Sequence, residues 1–427
     1  MTMTKGLFAD LSNQSETVTF EPTKRAGIAR LESFASRTGE HYVVQRNYDL
    51  GPTQRSTVSA LSPWIRHRLI TEEEVLTRAL ARHNSATATK FIQEVFWRGY
   101  FKGWLQQHPS VWNSYQLNLQ TAQNELERNL QRKANYLCAF GGNTGIACFD
   151  HWCHELKATG YLHNHARMWF ASIWIFTLRL PWELGAQFFL NYLIDGDPAS
   201  NTLSWRWVGG LHTKGKTYLA RSSNIAKYTE GAFDPVGQLA QTAQPLIDAQ
   251  EHSHVPFASA QAPAHNDYLL LVTEEDCRQR TFISKPPKDV LGLVLPRETD
   301  QGVKPHAFKK GAVTDAVMRL GSRDNVVKTN NWGNAVIEAA QKAGTTQVVT
   351  AFAPIGPVST RLASLKPALA AEGITLHQHH RPYDASIWPH ATKGFFKLKK
   401  TIPTILSDLG FTDAKTPQPC PAIAGSH

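Results

Sequence analysis

The chain has 427 residues, a length that suggests two or three domains of about 150 to 200 residues each and excludes a single small module. Hydrophobic residues make up 42% and charged residues 19%, ordinary globular usage that excludes a disordered or collagen-like chain and predicts a packed core. The net charge of +10 is split evenly, +5 over residues 1–250 and +5 over 251–427, so it is no detachable basic tail; it favours an anionic partner such as nucleic acid without identifying one.

Met1 to Asp10 carries Lys5 but no apolar run after it, so no secretory signal is expected. Residues 20 to 230 then read as helix after helix: Glu72–Ala81, Ala86–Gln106, Asn124–Leu137 and His163–Arg179 have helical periodicity and few β-branched runs. The longest apolar stretch, Met168 to Leu178, has 11 residues, where a bilayer span needs about 20, so a cytoplasmic protein without a membrane partner is expected. Five cysteines (Cys138, Cys148, Cys153, Cys277, Cys420) lack zinc-ligand spacing and predict reduced thiols rather than a disulfide frame. Ten of the twelve tryptophans lie between Trp64 and Trp207, more than packing needs, which points to a use for aromatic rings in that half.

From Asp234 to Asn266 the chain is rich in Ala, Gln, Pro and His with little periodicity, the composition of an exposed connection. Beyond it, short apolar runs at Tyr268–Val272, Val290–Leu295, Asn325–Lys328, Gln347–Ala351 and Ile374–His377 alternate with helical patterns such as Trp332–Lys342 and Val358–Ala371. That alternation predicts a parallel sheet covered on both faces. The expected fold is therefore an all-helical domain (1–234), a linker (235–266), a Rossmann-like α/β domain (267–412) and a flexible tail (413–427).

Four stretches could carry chemistry. In Lys90–Phe101, the spacing of Glu94, Trp97, Arg98 and Phe101 puts a carboxylate, a guanidinium and two rings on one helical face; a plain amphipathic helix with a Glu–Arg pair on its rim has the same pattern. In Gly160–Met168, Asn164, Arg167 and Met168 share a face, whereas His163 and His165 point to different sides, which argues against a shared metal. Leu193-Ile-Asp-Gly-Asp-Pro-Ala-Ser-Asn201 suits a loop entering a helix, and its Asp195 and Asp197 could bind a cation, pair with Arg167, or simply occupy a turn. Ser56–Pro63 sets small hydroxyl residues before a helix, a weak phosphate-loop pattern. No metal site is expected: His377-Gln-His-His380 has a metal-like look but lacks partner ligands and reads as surface, and no Gly-x-Gly-x-x-Gly marks a dinucleotide site in the α/β half.

In this order, the four stretches resemble the flavin-binding helical domain of the DNA photolyase/cryptochrome family, from about Phe20 to Asp234. The resemblance implies non-covalent FAD held by Tyr48, Ser59, Leu61, Ser62, Arg98, Arg167, Asp195, Asp197 and Asn201, with Asp195 paired to Arg167 and Asn201 facing the flavin N5. It also implies that Trp205 and Trp182 are the inner and middle members of an electron-carrying tryptophan chain. Where the outer member would stand, near Asn129, there is no tryptophan; Tyr136, Trp152 or Trp174 are candidates to replace it. Glu94, Trp97, Asn164, His165, Met168 and Trp207 match the positions that meet a flipped pyrimidine dimer, and a cyclobutane-dimer photolyase acting on damaged DNA is the implied activity. The alternatives are a cryptochrome-like photoreceptor with a protein partner, favoured by the Ala220–Gly231 segment, and a redox or structural protein in which the flavin is a bystander. In the α/β half, Thr273-Glu-Glu-Asp-Cys-Arg replaces the family's Arg-rich opening and leaves an antenna pigment open. The helical half precedes the α/β half, the reverse of the family's order, and Ser386–Pro403 resembles the family's exit from the α/β domain, which implies a circular permutation.

Overall fold

The computed structural model describes residues 16–258, 267–279, 285–322 and 325–411; the expected leader-free opening Met1–Asp10, the linker's end at 259–266 and the tail at 413–427 lie outside them. The helical half contains α1 (Lys24–Phe34), α2 (Glu40–Gln45), α3 (Ser62–Arg66), α4 (Glu72–Leu80), α5 (Thr89–Gln106) and α6 (Pro109–Arg128). After them come α7 (Leu130–Gly141), α8 (Ala147–Thr159), α9 (Asn164–Ser172), α10 (Trp182–Tyr192), α11 (Pro198–Val208) and α12 (Ser222–Tyr228). A Thr71/Glu74 capping box starts α4 where its periodicity begins.

Two expected helices are divided. The helix read over Asn124–Leu137 is broken at Asn129, whose backbone is extended and whose side chain accepts from the Arg132 N–H (3.0 Å), so it caps α7 instead of continuing α6. The helix read over His163–Arg179 is α9 followed by one π turn, Ile173–Thr177, and it stops before Arg179, which has a left-handed backbone (φ 53°).

The α/β half forms one five-stranded parallel sheet in the order β3-β2-β1-β4-β5, with β1 (Leu269–Val272), β2 (Asp289–Val294), β3 (Val326–Lys328), β4 (Gln347–Ala351) and β5 (Thr375–His379). Helices α13 (Val303–Arg319), α14 (Trp332–Ala343) and α15 (Pro357–Ala371) supply the crossovers. All four residues of β1 are buried, as expected of a strand covered on both faces. Helices α16 (Pro382–Ile387), α17 (Phe395–Lys399) and α18 (Ile402–Asp408) then carry the chain back to the helical half. There, Trp388 packs so closely on α5 that a Cβ on Gly103 would lie 2.8 Å from its ring.

The linker is not simply exposed. Asp248 pairs with Arg206, Leu246 covers Gly209, and the Val255 N–H donates to Gln107 O (2.8 Å), so single residues pin the described part of it across the helical half. Nor is His377–His380 all surface: His380 is buried with its ring stacked on Phe352 (3.8 Å), because β5 turns inward at its end. Among the described residues no His, Cys, Asp or Glu cluster could hold a metal, Cys138, Cys148, Cys153 and Cys277 are free, and no helix is long and apolar enough to cross a membrane.

Candidate functional site

The helical half encloses a cavity of about 610 Å³, the size of small-molecule and cofactor sites. One wall is the turn before α3, where Ser59, Leu61 and Ser62 face the space and Ala60 takes a left-handed conformation (φ 50°) that bends the chain sharply. Helix α5 presents Glu94, Trp97, Arg98 and Phe101, the face expected from their spacing. The start of α9 adds Asn164, His165, Arg167 and Met168. Asp195, Asp197 and, from α11, Asn201, Trp205 and Trp207 close the far side. Asp197 also begins α11: it accepts from the Ser200 N–H (2.8 Å) with Pro198 in the first turn, so the Asp-Pro pair is a helix start that leaves the second carboxylate oxygen toward the cavity. Asn164 is exposed and Trp97, Met168 and Trp207 are half-buried, whereas Asp195, Asp197, Asn201 and Trp205 are buried behind them.

Ion pairs concentrate at the back of the cavity. Arg167 donates to Asp195 Oδ2 (2.9 Å), while Asp197 Oδ2 faces Arg66 and Lys102 at 3.5 Å and Arg98 at 3.9 Å. Burial works against both carboxylates. Arg167, Ser62 and Arg98 outweigh it at Asp195, and Lys102, Arg66 and Arg98 at Asp197, so both are held below the usual carboxyl range and stay ionised. Arg66 is shared with Glu275, so Asp197 and Asp195 sit among Arg66, Arg98, Lys102 and Arg167, which keep both carboxylates ionised at the cavity's back. Arg98 Nη1, Asp197 Oδ2 and Trp205 Nε1 are buried without a hydrogen-bond partner. Buried polar groups are ordinarily paired, so these cavity atoms are available to a polar ligand.

Several residues differ from the sequence reading. The rim pair of Glu94 forms with Arg46 (2.5 Å) and not with Arg98, which reaches toward Asp197 instead. Burial raises the Glu94 carboxyl above its ordinary range despite Arg46 and Lys90. Tyr48 does not line the cavity; its ring lies edge-on against Tyr228 (5.1 Å). Trp182 also stands away from the wall, packed on Tyr115 (5.5 Å). His165 is a wall element: Nδ1 meets Asn47 O, Nε2 meets the Tyr218 hydroxyl, and the ring stacks on Trp169 (4.0 Å), which leaves little of it for a ligand. Trp97 and Trp207 each have one face covered, by Phe395 (3.8 Å) and Tyr218 (5.6 Å), and Trp97 also meets Tyr100 and Phe101. Asn201 Nδ2 donates to Ala186 O (2.8 Å), which fixes the orientation of its amide beside the cavity. Arg46, Lys102 and Phe396 were missed. The first two belong to no motif; Phe396, 78% exposed at the cavity, had a signal in two adjacent phenylalanines between Lys393 and Lys397.

Residues 91–271 match the family described as the FAD binding domain of DNA photolyase. The chain is 28% identical over 207 residues to a deoxyribodipyrimidine photo-lyase of Escherichia coli (48% of this chain, 42% of the relative) and 32% identical over 194 residues to one of a Synechococcus species (44% and 38%). The match thus spans less than half of each relative. Among solved structures, a class III photolyase of Agrobacterium tumefaciens has a TM-score of 0.41 at 25% identity (53% of this chain, 46% of that one), and a Synechocystis cryptochrome has 0.42 at 22% (50% and 45%).

The cavity fits FAD on its own evidence: the orphaned Arg98, Asp197 and Trp205 atoms give a flavin polar partners.

Proposed function

We propose that the protein is an FAD-dependent, blue-light-driven photolyase that repairs cyclobutane pyrimidine dimers in DNA. The observation that carries this reading is one cavity with two zones: charged groups suited to the cofactor at its back, and Glu94, Trp97, Asn164, Met168 and Trp207 toward its opening. Ser59, Leu61 and Ser62 would border the FAD phosphates, while Arg98, Arg167, Asp195, Asp197 and Asn201 would lie along the ring system. When bound, FAD in its reduced state supplies the electron that splits the dimer; that chemistry is the cofactor's.

The protein's own work is positioning. Trp97 and Trp207, partly exposed on the cavity wall, would offer ring surface to an extruded base, and Met168 adds a soft apolar surface beside them. The raised Glu94 carboxyl keeps its proton to higher pH than an ordinary glutamate, so it can donate to a pyrimidine carbonyl. Asn164 adds an amide at the exposed edge. Circular permutation is part of the same proposal. It is supported by the order of the two halves and by the packing of Val18 and Phe20, together with Leu409 and Phe411, against one shared core.

Preferential binding of dimer-containing over undamaged DNA tests the reading. Glu94→Gln retains a donor and should keep the preference at all pH values. The unaltered protein should lose part of it as pH rises through the raised Glu94 value, and Glu94→Ala should lose it throughout. Equal binding of damaged and intact DNA by the unaltered protein favours the cryptochrome-like alternative, to which the Ala220–Gly231 segment points.

A further inference from the structure

The ring chain implied by the family breaks at Asn129, which is exposed and spent on capping α7. Among the described residues, the rings in contact with Trp205 are Phe189 (5.2 Å) and Trp174 (6.2 Å, perpendicular). Trp174 in turn meets Tyr136 edge-on (6.1 Å, 82°). Trp182 belongs to a different stack, with Tyr115 (5.5 Å) and then Trp112 (5.2 Å). Trp152 belongs to a third, through Trp169 to His165 on the cavity wall.

Gly185 of α10 sits where the first two rings converge. A Cβ there would lie 2.3 Å from Trp205 Cη2 and 2.9 Å from Trp174 Cε2, so only a residue without a side chain lets both indoles approach the helix and each other. Trp174 is fully buried and its N–H donates to Pro181 O (2.9 Å), which fixes the ring. Tyr136 is half-buried on α7 and brings the series toward solvent.

Resting on the flavoprotein reading, we propose that Trp205, Trp174 and Tyr136 form the route by which the bound flavin is photoreduced, by-passing Trp182 and replacing the ring absent at Asn129. Trp205 gives one electron to the light-excited oxidised flavin. Trp174 refills Trp205, and Tyr136 refills Trp174. Tyr136, now short of an electron, releases its phenolic proton to water and is left as a neutral radical. A small thiol reductant in solution returns the electron, and water returns the proton. Burial, with the Asp300 and Tyr192 charges nearby, pushes the Tyr136 phenol up to about 12, so the proton leaves only on oxidation.

Flash photolysis and electron paramagnetic resonance of the FAD-loaded protein without DNA test the route. The expected result is a long-lived tyrosyl signal that disappears in Tyr136→Phe and in Trp174→Phe, with FAD absorbance retained. Because Trp174 is a core residue whose replacement can loosen the fold, the half-exposed Tyr136→Phe decides alone if that variant loses its flavin. A tyrosyl signal that persists in Tyr136→Phe overturns the proposal, as does a signal lost in Trp182→Phe but kept in Trp174→Phe. Repair by protein reduced beforehand does not use this route, so its failure would count against the photolyase reading and leave the ring assignment standing.

Discussion

At the carboxyl ends of β1 and β4, where the strand order reverses and a doubly wound sheet usually opens a ligand crevice, the segment Thr273–Cys277 is buried and its charges are already matched. Glu275 takes two hydrogen bonds from Arg66 (2.8 Å each), Asp276 takes Arg381 (2.5 and 2.7 Å), Glu274 takes Lys309 (2.9 Å), and nearby Arg68 grips Asp384 with both oxygens at 2.7 Å. The cavity of the helical half uses the same residue types differently: Asp197 lies under three cations at 3.5–3.9 Å, longer contacts than the bidentate pairs of the crevice. Close, bidentate pairs hold the two halves together, whereas the looser pairs at the cavity leave room for a ligand.

The sharpest way to break this contrast is Glu275→Ala. It removes the bidentate partner of buried Arg66 and leaves only the more distant Asp197 and Glu274, and loss of a partner in a buried pair costs roughly 3–5 kcal/mol; denaturant unfolding should show it, and a change under about 1 kcal/mol would mean the crevice charges do not join the halves.

Next comes Asp49, a buried carboxyl outside the cavity. Burial, with Glu155 nearby, raises it to about 6 against the weaker pull of Gly51, Arg55 and His151. A raised folded value means that its contribution to stability is fully present below about pH 4 and lost as pH rises through about 6. Asp49→Asn should therefore be more stable than the unaltered protein at pH 7.5, by roughly 1–3 kcal/mol, with no advantage at pH 4. An advantage independent of pH would assign the effect to packing.

The smallest expected change separates binding from cohesion. Arg98→Met should weaken FAD roughly tenfold, about 1.4 kcal/mol, in a flavin titration. Unfolding of the flavin-free protein should shift far less than in Glu275→Ala, and comparable losses in both would erase the distinction.

Much of this was legible in the sequence where a repeating pattern carried it. Strand β4 falls on Gln347–Ala351 as its apolar run indicates, and Glu94, Arg98 and Phe101 share the face their spacing dictates. What could not be read depends on contacts between distant residues. Nothing local says that Asn129 will cap a new helix, that Glu94 will choose Arg46 over Arg98, or that Leu246 and Asp248 will tie down a stretch without periodicity. The ring contacts around Trp205 depend on Gly185, which as a helix residue reads only as a weak propensity until the packing of α10 gives it a reason.

The central claim is that the cavity joins a flavin to a pyrimidine dimer. It is tested most directly by exposing dimer-containing DNA to blue light in the presence of the purified protein, with its flavin reduced beforehand. Restored pyrimidines, dependent on light and on Glu94, are the predicted result. Intact dimers after illumination, with FAD bound and reduced, would contradict it and leave a light-sensing flavoprotein as the reading of the same cavity.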